Sequence, residues 1–210
     1  IDGQGVLNGD LIVSGTGDPS LGSHRYEETR EEIILQKWAE AVKRAGIREI
    51  NGRILADDLL FGGYQAPGGW PWQDMGNYYG AGVSSLNWRE NAFGVIFQPA
   101  GTIGAPAPVK ETTADVSYLD IVNEVTTAPA GSGDEVYAFS APYASRLYFR
   151  GEHGSDLKKT IVMSLPDGAY DLVYQLKKRL TRDGIIHKGP ISTLYSLPAG
   201  DPARQLAQQA

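Results

Sequence analysis

The chain has 210 residues, 41% of them hydrophobic and 21% charged, proportions that suit a globular protein able to bury a core and that exclude disorder or a fibrous repeat. The formal net charge of -6, with basic residues scattered along the chain, excludes a surface that neutralises many phosphates, so no nucleic-acid partner is expected. The absence of cysteine excludes disulfides, thiolate metal sites and cysteine nucleophiles.

Gly9-Asp10-Leu11-Ile12-Val13-Ser14-Gly15-Thr16-Gly17-Asp18-Pro19 reads as a short buried strand that runs into a turn. A helix is predicted over 26–45. Ile34, Trp38, Ala41, Val42 and Ala45 recur there at helical spacing, glutamates sit early and Lys43 and Arg44 late, and Gly46 is a natural stop. Residues 47–57 alternate around Ile50, Ile54 and Ala56 and read as a strand with a turn or bulge at Asn51-Gly52. The same order returns later. Residues 160–164 form a predicted strand and 167–183 a helix lined by Tyr170, Val173, Leu176 and Leu180. Gly184 stops that helix, and an extended run begins at Ile185.

Both ends of the chain are therefore expected to build one α/β domain, with residues 1–92 and 155–195 forming a sheet with packed helices. The strands near 11–14, 48–56 and 160–164 should share that sheet. Residues 93–154 have a different texture, with alternating Val, Ile, Tyr and Phe, several Pro and Gly, and a helical hint only near 118–122. They read as a smaller inserted β-rich domain with strands at 95–97, 136–139 and 146–150.

No apolar run approaches the roughly 18 residues of a membrane helix, so no transmembrane segment is expected. The chain opens on Ile1 and ends in a helical-looking run from Ala203. Both ends read as cuts, and any export signal as already removed.

Ser155-Asp156-Leu157-Lys158, Ser85-Leu86-Asn87 and Lys159-Thr160-Ile161 imitate in part the Ser-x-x-Lys, Ser-x-Asn and Lys-Thr-Gly elements of serine acyl-transfer enzymes. They are rejected as a catalytic set. Thirteen serines and eight lysines supply about half an instance of Ser-x-x-Lys by chance. Ser155 also follows a turn, where no helix brings Lys158 beneath it, and the order of the elements is wrong. No catalytic residue is assigned within the chain. His24, His153 and His187 have no partner at i+3 or i+4 and are expected at the surface or in turns, and Asp57-Asp58 at a strand end. No metal or other cofactor is expected.

The run Gly68-Gly69-Trp70-Pro71-Trp72-Gln73-Asp74-Met75-Gly76-Asn77-Tyr78-Tyr79-Gly80-Ala81 is different. Aromatic rings around one carboxylate suit a ligand with a flat or aliphatic body and a cationic end. The competing explanation is that the rings pack a loop and Asp74 caps a turn.

Gly17-Asp18-Pro19-Ser20-Leu21-Gly22-Ser23, Gly69-Trp70-Pro71-Trp72-Gln73-Asp74-Met75 and Ser85-Leu86-Asn87-Trp88-Arg89-Glu90-Asn91, in this order with Gly46-Ile47 and Gly184-Ile185, give the chain its family likeness. Over nearly its whole length it resembles the D-alanyl-D-alanine carboxypeptidase/endopeptidase family often called penicillin-binding protein 4. In that family two domains are inserted between Ser-x-x-Lys and Ser-x-Asn. The resemblance implies that this chain is the insertion, that 196–210 begin the return to a missing catalytic domain, and that the catalytic serine lies outside.

It further implies that the parent cleaves peptidoglycan stem peptides through an acyl-enzyme, binds β-lactams through that missing domain, and works in the periplasm or at the cell surface. Asp74 aligns with the family's aspartate for the amino group of diaminopimelate, Tyr79 with an aromatic wall, and Trp72 falls in the same motif. The alternative is a stand-alone, non-enzymatic cell-wall or protein-binding module.

Overall fold

The two amphipathic stretches form helices α1 (Glu31–Arg44) and α2 (Gly168–Arg182) in a computed structural model that describes residues 1–207. Both end in the same way. Gly46 (φ 81°) and Gly184 (φ 85°) take the left-handed conformation, and the next amide reaches back, Ile47 to Val42 O at 3.3 Å and Ile185 to Leu180 O at 2.9 Å. The repeated Gly-Ile pair is thus a repeated cap that satisfies the last carbonyls and stops the helix. α1 starts later than its periodicity predicts. Glu27–Thr29 form a 3-10 turn instead, and Arg30 is extended at ψ 144°.

The chain divides into two compact units, the first made of Ile1–Tyr64, Val83–Glu90 and the residues from Gly168 onward. In it three chain segments run parallel, with the middle one at the centre. Val6–Leu7, Glu49–Ile50 and Ile186–His187 make one three-stranded sheet, and Leu11–Ser14, Ile54–Asp57 and Ile191–Thr193 another. At the break between the sheets the three segments stay in close contact. A Cβ on Gly52 would meet Gly9 O at 2.3 Å, and one on Gly189 would meet Gly52 O at 2.0 Å, so the backbones pass there only as glycine. Leu35 and Val42 of α1 and Leu172, Leu176 and Leu180 of α2 bury against Ile50 and Ile54. Each helix thereby removes its apolar stripe from water.

Charge ties the distant segments of this unit together. Arg53 bonds Asp10 and Asp201, each at 2.7 Å, and the guanidinium holds the Asp201 carboxyl below the usual carboxylate range. Arg89 pairs with Asp171, whose side chain is 0% exposed, and Gln175 donates to the other Asp171 oxygen at 3.0 Å. A short helix α3 (Pro202–Ala207) follows. Of the closing segment 196–210, residues 208–210 lie outside the described residues.

The second unit comprises Gln65–Gly82 and Asn91–Asp167. Ile161–Ser164, Ala92–Phe97 and Val109–Thr112 form an antiparallel sheet. In a four-stranded sheet, Arg146–Gly154 pairs antiparallel with Asp134–Phe139 and parallel with Asp120–Asn123 and Thr126–Ala128. Phe93, Val95, Leu147, Phe149 and Met163 lie in its core. The fold class is therefore the expected one, a mixed α/β architecture in which helices pack on sheet from both ends of the chain and a separate unit is β-rich.

Several details differ from expectation. The strand at 160–164 does not join the strands at 11–14 and 54–57. It pairs with Ala92–Phe97, because Ile161 and Met163 bury in the second core. The stretch 118–122 is not helical and leads into the strand Asp120–Asn123. Residues 65–82, 91–92 and 155–167, assigned from sequence to the α/β part, pack with the β-rich unit. His153 is fully buried, not at the surface. It lies on the inward side of its strand with Leu147 and Phe149, its ring centroid 5.7 Å from that of Phe97. Among the described residues no helix is long and apolar enough to cross a membrane.

Candidate functional site

The aromatic run of the second unit folds into two short 3-10 turns, Trp72–Asp74 and Tyr78–Gly80. Asn77, between them, is buried and anchors both. Its Nδ2 donates to Gln73 O at 2.9 Å, and its Oδ1 accepts the Ala138 amide at 3.0 Å. Gly76 lies so close that a Cβ would meet Ala138 O at 2.0 Å, and Gly76 O accepts the Ser164 amide at 3.0 Å. A loop held by the Asn77 side chain to one strand and by the Gly76 carbonyl to another presents its side chains in one arrangement, as a binding site requires.

Trp72, Tyr78 and Tyr79 are 59%, 63% and 51% exposed. Trp72 rests on Phe139, with ring centroids 5.2 Å apart, and Tyr78 meets Tyr79 edge to face at 5.3 Å. Asp74 closes its turn through the backbone alone. Its amide donates to Pro71 O and its carbonyl accepts from Asn77, both at 3.0 Å. Among the described residues no hydrogen bond or ion pair engages the Asp74 carboxylate, so no side-chain cap forms there. Burial and then the charge of Asp74 push the Tyr79 phenol above its ordinary value, which places the two groups within electrostatic reach. The structure thus brings Trp72, Asp74 and Tyr79 onto one short loop of one unit. The arrangement is an unpaired carboxylate flanked by partly exposed rings, a set that can bind an ammonium group with an apolar stem.

Sequence reasoning missed three members of this neighbourhood. Asn77 carries no catalytic signal, and its value shows only once Ala138 is beside it. Tyr137 and Phe139 read as plain strand residues. The alternation in Asp134–Phe139, with Val136 and Ala138 inward, is the signal that turns Glu135, Tyr137 and Phe139 outward.

The rejected motif residues fall elsewhere. Ser155 and Lys158 are exposed and outside any helix, after the strand Arg146–Gly154. Ser85, Leu86 and Asn87 are buried in the first unit, where Ser85 O accepts the Gly17 amide at 2.7 Å and Asn87 Oδ1 the Ser84 amide at 3.0 Å. Asp57 ends its strand and accepts from Ser14, and Asp58 accepts the Tyr195 amide at 2.9 Å. No cluster of metal-ligating side chains occurs among the described residues.

The sequence profile of a family described as D-Ala-D-Ala carboxypeptidase 3 (S13) matches residues 2–210. The D-alanyl-D-alanine carboxypeptidase DacB of Haemophilus influenzae is 33% identical over 90 residues, 43% of this chain and 17% of that protein. A D-alanyl-D-alanine carboxypeptidase of Actinomadura sp. is 25% identical over 197 residues, 90% of this chain and 34% of the relative. The chain therefore spans about a third or less of the length of these relatives. The crystal structure of penicillin binding protein 4 (dacB) from Haemophilus influenzae superimposes with a TM-score of 0.71 at 21% identity, covering 92% of this chain and 40% of that one. The same protein in complex with a β-lactam gives 0.60 at 18% identity, over 90% and 37%. These two likenesses are ones of fold.

Proposed function

The chain belongs to the D-Ala-D-Ala carboxypeptidase 3 (S13) family, and on that premise we propose that it is the inserted, cleft-shaping part of a serine-type D-Ala-D-Ala carboxypeptidase/endopeptidase acting on peptidoglycan stem peptides. The nucleophilic serine lies outside the chain. It attacks the carbonyl of the terminal D-Ala-D-X bond, the leaving amine departs, and water releases the acyl group. The exposed, helix-free setting of Ser155 and Lys158 supports this, since a nucleophile needs a base within hydrogen-bond reach. The same serine takes β-lactams, and the protein works in the periplasm or at the cell surface. The relatives' names support the activity, and the β-lactam complex of the Haemophilus influenzae protein supports the ligand.

Within this reading the chain selects substrate. Asp74 binds the ammonium at the end of the diaminopimelate side chain, with Tyr79 and Trp72 as apolar walls. The observation that carries it is the Asp74 carboxylate, left unbonded among exposed rings on a clamped loop. A hydrogen-bonded charge pair contributes about 1.5 to 3 kcal/mol, roughly ten- to a hundredfold in kcat/KM. In the full-length protein, Asp74→Asn should remove that preference for amine-bearing peptides over peptides lacking the amine, with the melting temperature unchanged. An intact preference, or a fall in melting temperature with no change in preference, would discard the pocket.

A further inference from the structure

The outward face of the strand Asp134–Phe139 continues the aromatic loop. Phe139 carries the Trp72 ring, and Tyr137 and Glu135 follow at two-residue intervals along the same face, both exposed. The Tyr137 hydroxyl donates to Glu135 Oε2 at 3.1 Å, which fixes the carboxylate beside the ring. The Trp72–Phe139 contact and the bond from the Ala138 amide to Asn77 Oδ1 join the strand to the loop, so the two form one patch.

The charge of this patch is one-sided. It holds Asp74 and Glu135, and the ladder sets the exposed Glu152 opposite Glu135. The cations brought to the strand are already engaged. Arg150, opposite Tyr137, bonds Glu124, and Lys159 bonds Asp134 at 3.2 Å. Among the described residues no ion pair neutralises Asp74 or Glu135.

We propose that the Tyr137–Glu135 pair is a second specificity element of the Asp74 site, an extra anionic arm that favours side chains ending in an ammonium without a free carboxylate beside it. Free diaminopimelate, which carries a carboxylate next to its ammonium, still binds through Asp74, but lysine-type or amidated diaminopimelate peptides fit better. The inference rests on the amine-binding reading of Asp74. Asp74 attracts the ammonium, and Glu135 repels an acid that arrives with it.

The test compares kcat/KM of the full-length protein for stem peptides identical except for free or amidated diaminopimelate. The amidated form should be favoured about two- to fivefold, the range an exposed charge pair supplies. The ratio should shrink at about 0.5 M salt, where the Debye length falls to roughly 4 Å. Glu135→Gln should bring the ratio close to one, and Glu135→Lys should invert it, a reversal that altered packing would not produce. Both positions of the pair are exposed, so unchanged melting temperatures confirm folding. A wild-type ratio near one, or a ratio that Glu135→Gln leaves intact, overturns the proposal. If Asp74→Asn still abolishes the amine preference in that case, the pocket stands and only the acid-excluding arm is lost.

Discussion

The first unit and the second are each stabilised by different means. The first is assembled from segments far apart in the chain, and ionic groups join them. Arg53 links Asp10 and Asp201, and Arg89 links to the wholly buried Asp171. The second is built from residues 65–82 and 91–167, and its ion pairs lie outside the core. Arg146 with Asp120 and Arg150 with Glu124 are about half exposed or more, while an apolar core and backbone ladders carry the packing. Breaking a pair withdrawn from water strands a charge and is costly, whereas a pair left in water contributes little to stability.

The largest effect should come from breaking the buried pair. Asp171→Ala removes the wholly buried partner of Arg89 and leaves that 11% exposed guanidinium only the longer pair with Glu31 at 3.5 Å, and should cost about 3 kcal/mol in urea unfolding. Arg146→Ala, which breaks the exposed pair of the second unit, should cost less than about 1 kcal/mol. Equal costs would erase the contrast. A middle-sized effect should follow Asn77→Ala. It strands the Ala138 amide in a buried position, for about 1 to 3 kcal/mol. Because Asn77 anchors the turns of Asp74 and Tyr79, binding selectivity should fall with it, and a stability loss without any change in selectivity would show that the loop keeps its shape unaided.

The smallest effect concerns acid. Burial pushes the Asp58 carboxyl above its ordinary range, against the Tyr195 amide that favours its charged form. A folded-state value above the unfolded one means that Asp58 adds stability below the unfolded value, near pH 4, and loses that contribution as pH rises through the folded value. Asp201 has the opposite sign. Its depressed carboxyl adds stability above pH 4 and loses it on acidification. Asp58→Asn should therefore be somewhat more stable than the native chain at pH 7 and no more stable at pH 3. A variant less stable at pH 7 would mean that the charged form is the one the fold wants.

What was legible in the sequence was local. The helix periods and the Gly46-Ile47 and Gly184-Ile185 stops give α1, α2 and their caps, since these depend on neighbours within a few residues. Sheet membership was not legible. Ile161–Ser164 reads the same whether it joins a parallel or an antiparallel neighbour, and its pairing with Ala92–Phe97 spans about seventy residues. His153 could have been placed, because it shares the parity of Leu147 and Phe149. The Asp74 loop stood out by composition, but the grip of Asn77 on Ala138 and the outward Tyr137 and Glu135 depend on a strand about sixty residues away.

The threading of the units carries a consequence for the order in which the chain is made. Every segment of the second unit has emerged by Asp167, while the first still lacks α2, the strands Ile186–His187 and Ile191–Thr193, and the Asp201 that Arg53 grips. At about 5 to 20 residues per second, the stripe of α1 waits for α2, and the middle strand Ile54–Asp57, which has Leu11–Ser14 from the start, waits for Ile191–Thr193, each for on the order of 5 to 30 s. Over that interval the later unit is the first able to fold, and the earlier one offers Ile34, Leu35 and Val42 to any holdase that meets the nascent chain.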